Sequence, residues 1–178
     1  GMINGDYRRY RDGVLRESGI YAKGKRNSTF TEYYQDGVTP RKETPMQQGK
    51  IDGTVKTYFR NGKIEAEKEY KQSVESGRER RFDSKTGEQI FESHYIDGKK
   101  DGEEWEIFED ASTLRSRIIR HYRNGKLDGS YRVESTRDGK PYITIEGQYT
   151  DGEKSGQWIE HNYDNNTQTC TWHGEGGA

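Results

Sequence analysis

The sequence predicts an all-β fold: an elongated, single-sheet antiparallel β-meander of stacked β-hairpins, with about a dozen strands. Three observations predict it. Turn signals recur every 11 to 14 residues along nearly the whole chain. A longer pattern recurs at a near-constant step of 24 to 27 residues. The apolar material lies in rings rather than aliphatic runs: 13 Tyr, 5 Phe and 3 Trp against 25 Leu, Ile, Val and Phe together in 178 residues. So few aliphatic residues would suggest disorder, but disorder also goes with high net charge and few aromatics. Here 30 Lys and Arg balance 31 Asp and Glu. A thin structure whose rings stack on neighbouring copies suits this composition better than a thick core.

The elements follow in order once each repeat is aligned on its first residue, at offset zero. The starts are Tyr21, Met46, Tyr70, Tyr95, Tyr122 and Tyr149, preceded by a partial unit over residues 1–20, and the chain reads as one repeat array over 1–178. Glycine recurs at offset three (Gly24, Gly49, Gly98, Gly125, Gly152) and at offset seven (Gly53, Gly77, Gly102, Gly129, Gly156). Aromatics recur at offset nine (Phe30, Tyr131, Trp158) and offset twelve (Tyr33, Tyr58, Phe82). A fixed period of this length indicates a repeat architecture. Each unit holds a second turn: Asp12-Gly13, Asp36-Gly37, Asn61-Gly62, Thr86-Gly87 and Asp138-Gly139. Asn-Gly and Asp-Gly suit two-residue hairpins, whose central residues both need positive φ. Strand-like segments such as Thr54–Phe59 and Pro141–Glu146 lie between turns, and no long helical stripe appears.

Charge predicts the pairing. The acidic run Glu103–Glu109 precedes the basic run Arg115–Arg120, with a turn expected near Asp110–Ser112, and Arg78–Arg81 follows the acidic Glu65–Glu69. Opposite charges facing across strands help set register where apolar alternation is weak. Some units depart from the pattern. Ser28 and Ser73 stand where glycine is expected, Trp105 sits at offset ten rather than nine, and Pro40 and Pro45 predict an irregular strand.

Gly-x-Trp/Tyr-x-x-Tyr/Phe followed by Asp/Asn-Gly, with Tyr-x-x-Gly-Lys-x-x-Gly between units, resembles MORN repeats over roughly Asn4 to Tyr163, most clearly at Tyr122–Tyr131, Tyr149–Trp158 and Gly53–Tyr58. It looks most like the bacterial variant found in proteins described as antitoxins. The resemblance implies one hairpin per unit, rings along one face, and a role as an interaction scaffold. It implies a candidate partner-binding aromatic face at Tyr10, Tyr33, Tyr58, Phe82 and Trp158.

The residues point to no reaction. Cys170-Thr-Trp-His173 has metal-ligand spacing but lacks the second pair of a structural zinc site, even with His161 nearby. No catalytic site, metal or cofactor is expected. The Gly-x-x-x-Gly spacing is a turn feature rather than a phosphate cradle, because strand-like residues follow it instead of a helix. Balanced charge argues against a nucleic-acid partner. The expected function is a non-enzymatic protein–protein interaction scaffold, antitoxin-like, whose partner is another protein. The alternatives are a peripheral module for anionic phospholipid, using Arg115, Arg117, Arg120 and Arg123, and a cell-envelope protein binding surface polymers through exposed rings. Edge or end-to-end self-association is a further expectation. Gly1 before Met2 reads as an expression scar. Localisation stays open between the envelope, if a leader was trimmed, and the cytoplasm.

Overall fold

The computed structural model describes residues 1–109, 115–137, 139–162 and 165–174. Among these the regular elements are seventeen β-strands in one open antiparallel sheet, paired in chain order as successive hairpins. The strands are β1 (Gly5–Arg11), β2 (Val14–Ala22), β3 (Lys25–Arg26), β4 (Thr29–Tyr33), β5 (Pro40–Gln47), β6 (Lys50–Ile51), β7 (Gly53–Tyr58), β8 (Ile64–Lys71) and β9 (Val74–Phe82). They continue as β10 (Gln89–Ile96), β11 (Lys99–Lys100), β12 (Gly102–Glu109), β13 (Arg115–Arg123), β14 (Lys126–Arg137), β15 (Lys140–Thr150), β16 (Glu153–Asn162) and β17 (Thr167–His173). The count exceeds a dozen partly because β3, β6 and β11 are two-residue pieces, each cut from the strand that follows by a bulge.

That bulge explains the offset-seven glycine. Gly53, Gly77, Gly102 and Gly129 have φ between +102° and +122°, where a side chain is strained. Ser28 replaces this glycine without positive φ, and its hydroxyl accepts a hydrogen bond from the Ile20 amide at 2.9 Å. The break in the pairing of β5, between Glu43 and Met46, falls at the same place as the break in β2. The bulge therefore sets it, and not Pro45.

The two turn families differ, which corrects the uniform two-residue expectation. At offsets two and three both residues have positive φ, as a type I′ hairpin requires: Lys23-Gly24, Gln48-Gly49, Gln72-Ser73, Asp97-Gly98, Asn124-Gly125 and Asp151-Gly152. Asp12-Gly13 matches them. In the second turns of the later units only the glycine is left-handed: Gly37, Gly62 and Gly87. These are longer loops, closed by bonds such as Tyr34 N–H to the Thr39 carbonyl at 2.9 Å and held by the carboxylates of Asp36 and Asp83, which accept backbone amides. Asp138 and the turn expected near Asp110–Ser112 lie outside the described residues.

One hydrogen bond ties each repeat to the one before it. The offset-three amide donates to the offset-five carbonyl of the preceding unit: Gly24 to Ile3, Gly49 to Arg26, Ser73 to Ile51, Gly98 to Glu75, Gly125 to Lys100 and Gly152 to Leu127, at 2.7 to 2.9 Å. The side chain one residue further on often adds a second link. Asn4, Asn27 and Asp101 accept the amides of Lys23, Gln48 and Asn124 at 2.6, 3.1 and 3.0 Å.

The chain forms two compact units, Gly1–Gln89 with Tyr95–Gly98, and Ile90–His94 with Lys99–Ala178. In each, residues facing each other across strands make transverse rows. The buried row of the first unit runs through Tyr7, Gly19, Phe30, Thr44, Val55, Lys68 and Glu79. That of the second runs through Ser93, Glu104, Arg120, Tyr131, Gly147 and Trp158. Each row has a dry end, where a glycine seats a large ring. A Cβ on Gly19 would lie 2.7 Å from Phe30, and one on Gly147 would lie 2.3 Å from Trp158. Flanking tyrosines close the cluster: Tyr7 and Tyr21 around Phe30, and Tyr131 and Tyr149 around Trp158, with centroids 5.2 to 6.0 Å apart. A cation caps each ring, Arg26 over Phe30 at 4.2 Å and Lys154 over Trp158 at 4.1 Å.

Candidate interaction surfaces

Offset nine faces the buried row in every unit, whatever residue occupies it. Phe30, Val55, Glu79, Glu104 and Trp158 are buried there, and Tyr131 is half-buried. Trp105, one residue later, faces the opposite side, and Glu104 takes the buried place. Two carboxylates therefore sit inside the row, each matched by cations. Glu104 is 1% exposed, pairs with Lys100, and accepts from Arg120 Nε at 2.8 Å. Arg120 also reaches Glu106. Glu79 pairs with Lys68 at 3.1 Å and Arg81 at 2.7 Å. Burial pushes the Glu79 carboxyl up, but hydrogen bonds from Arg81 and Lys68 outweigh it and hold it below the usual carboxylate range. The Tyr95 hydroxyl donates to Glu79 at 3.0 Å, and burial with the Glu79 charge pushes it up to about 12.

The opposite face of the first unit carries a ladder of alternating charge. Glu43, Lys56, Glu67 and Arg80 face one another across β5, β7, β8 and β9. Lys56 lies 3.7 Å and Arg80 2.8 Å from Glu67. The acidic-to-basic matching expected for Glu65–Glu69 and Arg78–Arg81 is present here. In the second unit, Glu104 faces Arg120 and Glu109 faces Arg115.

The candidate rings at offset twelve lie on this ladder face. Tyr10 on β1, Tyr33 on β4, Tyr58 on β7 and Phe82 on β9 share its side-chain phase, each in the last two residues of its strand. For Tyr10, Tyr33 and Tyr58 a register shift precedes the ring. Tyr10 is 57% exposed and the other three are half-buried. Tyr33 shares a hydrogen bond of 3.0 Å with Ser18, and Tyr58 donates to Glu43 at 2.6 Å. Burial and that bond push the Tyr58 hydroxyl up to about 12. Tyr33 also lines an open groove of about 510 Å³ with Arg8, Leu15 and Ile20. Trp158 does not join these four. It belongs to the second unit, at offset nine, 5% exposed, with its indole N–H on the Gln148 carbonyl at 3.1 Å.

The candidate lipid-binding cations differ in their contacts within the chain. Arg120 holds Glu104, Arg117 stacks over Trp105 at 4.4 Å, and Arg123 lies 3.8 Å from Asp128. Among the described residues no three His, Cys, Asp or Glu side chains gather around a common point. Cys170 faces Ile159, whereas the His173 ring meets Trp158 on the other face at 6.2 Å.

A second groove, of about 730 Å³, opens on the second unit, on the face opposite its buried row. The Ser130 hydroxyl lies 2.9 Å from His121 Nδ1, and His121 Nε2 lies 3.6 Å from Glu103. No sequence signal marked this groove, whose residues come from six strands.

No protein-family model and no curated protein matches this chain.

Proposed function

We propose that the chain is a non-enzymatic scaffold that holds another protein, built from MORN-like repeats and antitoxin-like in masking its partner by stoichiometric binding. The observation that carries this reading is the row of rings at offset twelve. Tyr10, Tyr33, Tyr58 and Phe82 recur on the same face of four strands, beside the charge ladder. Rings held by hydrogen bonds lose little freedom on binding, and partly exposed aromatic surface is the material of binding hot spots. The ladder offers both signs of charge for registering a partner. The pairing of Arg120 with Glu104 and Glu106, and the near-zero net charge, support a protein partner over anionic phospholipid. The fold does not depend on the exposed Tyr10 ring, which makes it the best probe. Tyr10→Ala is expected to weaken capture of the host partner by about tenfold or more with thermal stability unchanged. Recovery of no stoichiometric protein partner from the native host, or capture that Tyr10→Ala leaves intact, overturns the reading.

A further inference from the structure

The groove of the second unit differs in chemistry from the ring row of the first. Its floor runs Ile119, Arg132, Glu146 and Ile159 across four strands, two aliphatic side chains flanking a charged pair. One wall is the indole of Trp172 on β17, 75% exposed. Gln157 faces Trp172 across the strands, and Gln148 faces both Ser130 and Ser155. The side chains of Gln148, Gln157 and Trp172 make no hydrogen bond or ring contact within the described residues, so their donors and acceptors are free for a ligand.

Each charged group of the groove already has a polar side-chain neighbour. Arg132 pairs with Glu134 at 2.8 Å, Glu146 with His161 at 3.0 Å, and Glu103 faces His121. An anionic ligand would have to displace Glu134 from Arg132, and a cationic one would have to displace His161 from Glu146. A neutral ligand meets neither cost. The remaining surface is a flat ring, two amides, two hydroxyls and the two isoleucines of the floor. A pyranose presents the complement: a C–H face for the indole and ringed hydroxyls for amides that both donate and accept.

We propose that this groove binds a neutral oligosaccharide, with one sugar ring stacked on Trp172 and its hydroxyls bonded to Gln148 and Gln157. The site is separate from the offset-twelve rings, so its failure leaves the protein-scaffold reading untouched.

The test is calorimetric titration of the full chain with cellohexaose, mannohexaose, xylohexaose and chitohexaose. At least one is expected to bind. Trp172→Ala should weaken it by about tenfold or more, whereas Trp172→Tyr should keep most of the affinity. The joint change Gln148→Ala and Gln157→Ala should weaken it as well. Far-UV circular dichroism identifies any variant that fails to fold. For the unaltered chain, saccharide should slow acrylamide quenching of the exposed indole. Absence of binding by all four sugars at millimolar concentration overturns the proposal. So does unchanged affinity in folded Trp172→Ala, or a protein partner whose capture needs Trp172 and is not displaced by saccharide.

Discussion

At the scale of single residues, the unusual feature is charge placed where a core residue belongs. Glu79 and Glu104 occupy the position that Phe30 and Trp158 fill elsewhere. A carboxylate there is tolerated because two cations reach it, and removing one partner from such a group is far more damaging than never having had it. Glu79 carries the consequence for pH. Its carboxyl is held below its unfolded value, so its stabilisation is present above the ordinary carboxylate range and is lost as pH falls through the folded value. Glu79→Gln is expected to cost about 2 kcal/mol at neutral pH and to flatten the acid limb of the stability curve. Urea unfolding of both proteins across the acid range measures this. A parallel loss of stability in the two at every pH contradicts it.

At the scale of elements, neighbouring strands exchange volume along each buried row. Where β2 and β15 supply glycine, β4 and β16 supply a large ring; where β5 supplies Thr44, β7 supplies Val55. Gly147→Ala is expected to cost about 2 kcal/mol, because the new methyl meets the Trp158 ring rather than a flexible chain end. Gly19→Thr should be still more harmful alone, and adding Phe30→Val should recover part of the loss by restoring the pairing seen at Thr44 and Val55. Thermal unfolding of the single and double variants decides between this and independent effects.

The hairpins were legible in the sequence for a related reason. Glycine at positive φ cannot be exchanged freely, so turns and bulges leave a fixed mark at offsets three and seven. Burial left a weaker mark. The side chain at offset nine changes from ring to aliphatic to carboxylate, so hydropathy hides a position that alignment on the repeat start exposes. Trp158 and the offset-twelve rings looked alike as aromatic letters, yet they differ in depth, and only the strand alternation after each bulge separates them. The second groove had no local signature, since Glu103, His121, Ser130, Gln148 and Trp172 meet only once six strands have paired.

At the scale of the whole molecule, a near-neutral chain with few aliphatic residues folds by repetition. Each offset-three turn bonds to the unit before it, rings stack on glycine, and buried acids are paired with cations on neighbouring strands. Stability of this kind is built from neighbour-to-neighbour contacts and leaves the opposite face free for display. The central claim is that the face bearing the offset-twelve rings is the one that meets a protein partner. Adjacent strand residues point to opposite faces, which gives a sharp test. A photo-crosslinking amino acid is placed at Tyr10 in one protein and at Arg9 in another, and each is irradiated in the native host. The account predicts one stoichiometric crosslinked partner from position 10 and little or none from position 9. Equal capture from both, or capture from position 9 alone, contradicts it.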